Sequence, residues 1–266
     1  MEYYGVIGYP IKHSLSPVMH NAAFRHLGVD AIYLALEVKP DRIEDALKGA
    51  RALSFSGLNV TIPFKESVLK YVDAKGVAMK IGAVNTIDLR SMEGYNTDAI
   101  GALKALENEG VEVKDKVALV IGAGGAARAI AFALTEKKAT VVITNRTQSR
   151  GLKLAEDVRK TGECIFYPYD RIEDVSVDII INATPVGMSG FEKKLPVPES
   201  LIRDVVVFDT VYNPMETPLI SFARKRGCKV VYGIDMLVFQ GAEAFKIWTG
   251  KKAPVDVMRK AVIEKL

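Results

Sequence analysis

The chain has 266 residues, 49% of them hydrophobic and 26% charged. That is enough apolar material for one large or two modest domains without disulfides or structural metals. A net charge of +4 suits a small anionic ligand but is too small and too dispersed to argue for nucleic acid. No run of about 18 apolar residues is present, so no membrane span is expected. The N-terminus, MEYYGVIGYPIKHS, reads as a strand rather than a signal peptide. Cys164 and Cys228 form no CxxC and are expected as free thiols in a reducing cytoplasm.

In chain order, Tyr3 to Gly8 reads as a strand and Ser16-Pro17 as a helix start, with Ser16 as N-cap and Gly28 ending the helix. Ala31 to Val38 follows as a strand, Pro40 to Leu53 as an amphipathic helix and Gly57 to Ile62 as a strand. Pro63 opens a further helix, and Ala83 to Leu89 is another strand. The second part is more regular. Lys116 to Ile121 is a strand running into GAGGAARA, and a helix continues to about Glu136. Thr140 to Thr144 is a strand, and Gln148 to Lys160 a helix. Strands follow at Cys164 to Tyr167, Val177 to Asn182, Val205 to Asp209 and Lys229 to Tyr232. The fold class is α/β: an N-terminal α/β substrate domain plus a doubly wound Rossmann nucleotide-binding domain. Met236 to Trp248 and Val255 to Leu266 are helical with no strand between them, so they cannot extend the sheet. They are expected to return to the first domain, which gives residues 1–99 with 235–266 as one domain and 100–234 as the other.

The turn Gly122-Ala123-Gly124-Gly125-Ala126-Ala127 lies between a strand and a helix. Gly122 permits the tight turn, Gly124 lets the backbone approach a pyrophosphate, and Ala127 takes the small third position. The helix start adds free N–H groups and a positive dipole end. After the next strand comes Asn145-Arg146-Thr147, where an enzyme preferring NAD would usually place a carboxylate for the ribose hydroxyls. Arg146, helped by Arg150, instead suits the 2′-phosphate of NADP. The plain alternative is a solvated surface arginine.

Hydride transfer to a carbonyl needs a proton donor beside the carbonyl oxygen. Asn59-Val60-Thr61-Ile62-Pro63-Phe64-Lys65 places Asn59 and Thr61 on one face of a strand. Lys65 follows at the expected helix start, where its charge opposes the dipole. Asp98, in Asn96-Thr97-Asp98, lies where the chain crosses to the second domain and could anchor the lysine. Alone, each has a bland reading: Lys65 as a solvated lysine, Asp98 as an N-cap. Ser14 and Ser16 on the loop before the first helix could hold a carboxylate. His13, His20 and His26 lack metal-ligand spacing and read as surface or packing residues.

The segments GYPIKHSLSPVMHN, GLNVTIPFK, GAVNT, GYNTD, GAGGAARA, NRT, NATPVGM, DTVYNPMETPL and GIDMLVFQGAEAF resemble the motifs of shikimate dehydrogenases, in order and over almost the whole chain. The resemblance implies NADP-dependent interconversion of 3-dehydroshikimate and shikimate, in aromatic amino-acid biosynthesis. It implies Lys65 and Asp98 as catalytic residues. Ser14 and Ser16 would bind the substrate carboxylate, with Tyr212 closing near it. Thr61, Lys65, Asn85, Asp98 and Gln240 would bind ring oxygens, and Asn59 would line the pocket. Gly122, Ala123, Gly124, Gly125 and Ala126 would form the pyrophosphate loop, and Asn145, Arg146, Thr147 and Arg150 the 2′-phosphate site. Thr184, Val211, Gly233 and Met236 would line the nicotinamide side. No metal, nucleic acid or membrane is implied, and a homodimer is left open. Asp235 and Phe239 depart from the family pattern, where Gly and His or Tyr are more usual. Two rival readings remain: a quinate/shikimate dehydrogenase preferring NAD, disfavoured by Arg146, and a non-catalytic ligand-sensing relative, disfavoured by Lys65 and Asp98 together.

Overall fold

A computed structural model describes all residues, Met1 to Leu266. The chain forms two compact units, residues 1–101 with 237–266, and residues 102–236.

In unit 1 the elements run β1 (Glu2–Gly8), α1 (Ser16–His26), β2 (Ala31–Glu37), α2 (Ile43–Ala52), β3 (Phe55–Val60), β4 (Asp73–Ala74), α3 (Val77–Ile81), β5 (Thr86–Asp88) and β6 (Glu93–Tyr95). The sheet order is β2-β1-β3-β5-β6-β4. β1 is parallel to β2 and β3, whereas β5 is antiparallel to both β3 and β6. Ile7, Leu58, Val60, Phe64 and Ile87 pack with Ile43, Leu47 and Ala50 of α2. Tyr4, Phe24, Tyr33, Phe245 and Trp248 form a second, aromatic cluster. Each large side chain so buried contributes roughly 1.5–3 kcal/mol relative to exposure.

Several local expectations are corrected. The N-cap of α1 is Leu15, with Ser16 already the first helical residue, and the helix has no side-chain cap. The segment expected as one helix from Pro40 splits into a 3-10 turn at Pro40–Arg42 followed by α2. No α-helix starts at Pro63. The Phe64 N–H closes a turn onto the Thr61 carbonyl (2.9 Å), Phe64 sinks into the core, and the Lys65 carbonyl accepts from Val84 N–H (2.7 Å). That carbonyl is therefore committed to a neighbouring loop rather than to a helix, and only a 3-10 turn at Ser67–Lys70 follows. Lys65 stands on a loop, and the dipole argument for its unusual placement lapses. The expected strand Ala83 to Leu89 shortens to β5, and β4 and β6 are additional.

α4 (Thr97–Asn108) leads from unit 1 into unit 2. There follow β7 (Val117–Ile121), α5 (Gly125–Glu136), β8 (Thr140–Thr144), α6 (Gln148–Arg159), β9 (Cys164–Phe166), β10 (Ile179–Asn182), β11 (Val206–Asp209), α7 (Pro218–Lys225) and β12 (Lys229–Tyr232). The sheet is parallel throughout, in the order β12-β11-β10-β7-β8-β9. Its near-continuous apolar strands suit a sheet covered on both faces. The winding reverses between β7 and β10, where such sheets bind ligands outside their carboxyl ends. α8 (Gly233–Thr249) carries the chain back to unit 1, and α9 (Val255–Ile263) follows. No helix is long and apolar enough to cross a membrane. Cys164 and Cys228 are free, and burial pushes the Cys164 thiol up to about 12.

Candidate active site and cofactor site

Strand register builds the site in unit 1. Asn59 pairs with Thr86 between β3 and β5, and Thr86 pairs with Tyr95 between β5 and β6. Asn85, just before β5, is pinned by its backbone to Val60 N–H (2.8 Å) and the Tyr95 carbonyl (3.0 Å). Two residues beyond β6 the chain enters α4, and Asn96 accepts from Ala99 N–H (3.3 Å) as a cap. Asp98 falls in the first helical turn, where a carboxylate favours the dipole.

Lys65 and Asp98 meet, with Nζ donating to Oδ2 at 2.5 Å and side chains only 15% and 9% exposed. The other carboxylate oxygen, Oδ1, accepts from Asn85 Nδ2 at 2.8 Å. The Asn85 amide is itself fixed, since its Oδ1 accepts from Thr97 N–H (2.7 Å) and its Nδ2 also donates to Thr97 Oγ1 (3.0 Å). A carboxylate has about four acceptor positions and an ammonium three donors, so the pair retains capacity for a ligand. Thr97 Oγ1 reaches Gln240 Oε1 at 3.4 Å, and Gln240 Nε2 donates to the Leu237 carbonyl (2.8 Å). Asn59 is fully committed. Its Oδ1 accepts from Tyr33 OH (2.7 Å), and its Nδ2 donates to Thr86 Oγ1 (2.9 Å) and the Asn85 carbonyl (3.1 Å). Asn59 therefore shapes the wall and has little left to offer a ligand.

Thr61 lies one residue past β3 and is half-buried. Ser14 Oγ accepts from Ser16 N–H at 3.3 Å, which places both serines at the entry to α1. Ser16 is buried and Ser14 half-buried. His20 is enclosed and stacks on Tyr33 with ring centroids 4.4 Å apart. Burial alone drives its pKa down to about 3, so it is a neutral packing residue.

Unit 2 carries the glycine-rich turn at the carboxyl end of β7. Gly122 adopts φ +115°, and a Cβ there would lie 2.9 Å from the Ala183 carbonyl oxygen, so only glycine fits. Ala123 precedes Gly124, the N-cap of α5, which is exposed and extended with no side-chain cap. Gly125, Ala126 and Ala127 form the first turn of α5, whose N–H groups have no intrahelical acceptor. After β8, Asn145 Nδ2 donates to the Thr147 carbonyl (2.8 Å), and Arg146, Thr147 and Arg150 stand exposed around the start of α6. Lys194, missed by sequence reasoning, pairs with Glu192 at 2.6 Å close enough to feel the Arg146 charge. Val211 and Met236 are buried, while Thr184 and Tyr212 are half-buried. A Cβ on Gly233 would lie 2.4 Å from the Thr210 carbonyl oxygen.

The residues singled out from sequence thus collect in two groups. Ser14, Ser16, Asn59, Thr61, Lys65, Asn85, Asp98 and Gln240 lie in unit 1, and Tyr212 lies with the glycine-rich turn and Arg146 in unit 2. Sequence reasoning missed Tyr33, Thr86 and Thr97 in the first group and Asn182, Asp209 and Thr217 in the second. Thr86, Thr97, Asn182, Asp209 and Thr217 sat inside conspicuous motifs, which was the only available signal.

Residues 6–87 match the shikimate dehydrogenase substrate binding domain, residues 104–194 the shikimate / quinate 5-dehydrogenase family, and residues 233–263 the shikimate 5′-dehydrogenase C-terminal domain. A shikimate dehydrogenase (NADP(+)) from Archaeoglobus fulgidus is 59% identical over 269 residues, spanning 100% of this chain and 99% of that protein. The chain belongs to the shikimate dehydrogenase family. A solved shikimate dehydrogenase in complex with NADP+ is 44% identical, with a TM-score of 0.94 over 100% of this chain and 96% of that one. The shikimate 5-dehydrogenase of Thermus thermophilus, solved with NADP(H) and shikimate, is 38% identical with a TM-score of 0.90 over 100% of both chains. The expected α/β fold and oxidoreductase class hold, and of the readings weighed from sequence the NADP-dependent enzyme is the one these relatives match.

Proposed function

We infer that the protein reduces 3-dehydroshikimate to shikimate with NADPH, reversibly, as a step in making aromatic amino acids. In this reading unit 1 is the substrate and catalytic domain and unit 2 binds NADP. The observation that carries it is the Lys65–Asp98 pair, almost buried and locked through Asn85 and Thr97.

The residues of unit 2 fit the cofactor. Gly122 allows the close turn, the start of α5 offers N–H groups and a dipole end to the pyrophosphate, and Arg146 stands exposed where a 2′-phosphate needs charge. Ala123, Gly124, Gly125 and Ala126 would complete the phosphate loop. Asn145, Thr147 and Arg150 would support Arg146, and Thr184, Val211, Gly233 and Met236 would border the nicotinamide. Bound NADPH supplies the hydride.

The chain's own groups do the rest. Ser14 and Ser16 hold the substrate carboxylate, with Tyr212 beside it. Thr61, Asp98 and Gln240 face the ring oxygens, Asn85 stands beside them with its amide already committed to Asp98 and Thr97, and Asn59 forms the wall. Lys65 donates a proton to the ketone oxygen, and its ammonium stabilises the charge growing there. Asp98 holds the lysine in a single place, so little reorganisation is needed. Sites that read hydroxyls in this way reject analogues lacking them by large factors. The protein acts in the cytoplasm, and a homodimer is the assembly to look for.

The test is absorbance at the nicotinamide band, with shikimate and quinate each offered with NADP and NAD. Turnover concentrated in the shikimate and NADP combination is expected. Preference for quinate with NAD would overturn the assignment.

A further inference from the structure

One buried acid has no part in the proposed chemistry. Asp209 is the last residue of β11, fully buried and beside Asn182, the last residue of β10. Its Oδ1 accepts from Asn182 Nδ2 (2.9 Å) and Val211 N–H (3.0 Å), and its Oδ2 from Thr217 Oγ1 (2.6 Å). Burial raises its pKa to about 6, against the pull of those three donors, and every hydrogen bond it makes is one it accepts.

We propose that Asp209 is a positioning residue for the nicotinamide side of the cofactor site, acting through Asn182, Val211 and Thr217 on the turns that follow β10 and β11. The proposal rests on the reading that NADP lies at the carboxyl ends of the strands of unit 2.

The argument is one of donors and acceptors. A carboxylate can only accept, so Asn182 must turn its NH2 toward Asp209. Its carbonyl oxygen then faces the other way and receives Thr184 N–H (3.1 Å) and Thr184 Oγ1 (2.6 Å). The same NH2 also donates to the Val186 carbonyl (3.0 Å), and Val186 N–H donates to Thr184 Oγ1 (3.2 Å). Turn 182–186 is thus closed around one amide whose orientation Asp209 dictates. This turn lies against the glycine-rich loop, since a Cβ on Gly122 would meet Ala183 O and, at 3.1 Å, Thr184 Cγ2.

On the other side, Thr217 Oγ1 accepts from Ile220 N–H at 3.2 Å as the cap of α7, so its proton is directed to Asp209. Val211 N–H fixes the adjoining backbone, and the Thr210 and Val211 carbonyls crowd Gly233, where a Cβ would stand 2.4 and 2.6 Å from their oxygens. One carboxylate therefore sets the pieces of backbone at 183–184 and 210–211, against which 122 and 233 rest. An asparagine would put a donor where an acceptor is needed, and either Thr217 or the pair Asn182 and Val211 would lose a partner.

The test uses the full protein with Asp209→Asn and, should that variant fold poorly, Thr217→Val, which removes one donor and keeps the carboxylate. Calorimetric titration compares NADP with adenosine 2′,5′-bisphosphate, which carries the adenosine and 2′-phosphate but no nicotinamide. NADP affinity should fall about five- to thirtyfold, the effect of disturbing one or two such hydrogen bonds. Affinity for the bisphosphate should hold, and kcat should fall with NADP saturating. Parallel weakening of both ligands, or no change in either, would overturn the proposal by showing a merely structural role or none. Failure of the cofactor-site reading would show separately, as wild-type protein that does not bind the bisphosphate, and would remove both.

Discussion

Unit 1 binds the polar residues around Lys65 to one another, while unit 2 leaves those at the start of α6 in water. Lys65, Asp98, Asn85 and Thr97 are joined by hydrogen bonds of 2.5–3.0 Å. Arg146, Thr147 and Arg150 are exposed, and among the residues between β8 and α6 only Asn145 is half-buried and bonded to its own loop. The difference follows from what each would hold. A small hydroxylated ring is read by direction, and ordering side chains only when it arrives would cost affinity. A phosphate is held by charge and a helix start, which work without a preset geometry. The buried ionisable groups differ as well. His20 of unit 1 and Asp209 of unit 2 are both fully enclosed, one a base and the other an acid, and burial moves their pKa values in opposite directions.

That opposition gives the largest predicted effect. The folded pKa of His20 is near 3 and its ordinary value 6.5, so the unfolded chain binds the extra proton between them. Its stability contribution is complete above pH 6.5 and is lost as pH falls toward 3, on the order of 5 kcal/mol in all. The folded pKa of Asp209, about 6 against 3.8, has the reverse sign. Its contribution is present below 3.8 and lost as pH rises through 6. Hydrogen exchange, corrected for its intrinsic pH dependence, should show amides of β1 and α1 losing protection on acidification before those of β7 and β10. His20→Phe should delay that loss. Unit 2 opening first would break the comparison.

Next comes the pair itself. Asp98→Ala strands an ammonium that is mostly out of water. Stability to denaturant should fall by about 2–3 kcal/mol, toward the low side for a broken buried pair because Lys65 keeps some exposure. An unchanged midpoint would mean the pair is not a fixed element of unit 1.

Arg146→Ala should weaken NADP about ten- to a hundredfold, as expected for lost charge-assisted hydrogen bonds, and leave NAD almost unmoved. It should not alter stability, since Arg146 stands exposed. The check is a pair of affinities at fixed salt, and an unchanged NADP/NAD ratio would place the phosphate elsewhere.

The smallest effect is expected at the entry to α1. Ser14→Ala and Ser16→Ala should each weaken shikimate by about 0.5–1.5 kcal/mol, or more against a charged carboxylate. Unchanged apparent affinity in both variants would remove the carboxylate from that loop.

What could be read from the sequence was local. The parallel order of unit 2 follows from alternating apolar runs and helical patterns, and the phosphate turn from glycine spacing between a strand and a helix. β4 and β6 have two and three residues, too short for any periodicity to register. The helix expected at Pro63 failed because long-range contacts took Phe64 into the core and the Lys65 carbonyl to Val84. The commitments of Asn59, Asn85 and Thr86 depend on register between strands far apart in sequence, which spacing does not encode. Asp209 and Thr217 lay in a noticed motif, yet their bond appears only once the end of β11 and the start of α7 are placed together.

The account turns on Lys65 as the proton donor, and single-turnover hydride transfer in Lys65→Ala tests it most directly. With shikimate and NADP both saturating, the rate should fall roughly 10²–10⁴-fold, the usual loss for a missing general acid–base group, while affinity for both ligands is little changed. A wild-type single-turnover rate in the folded variant would contradict it.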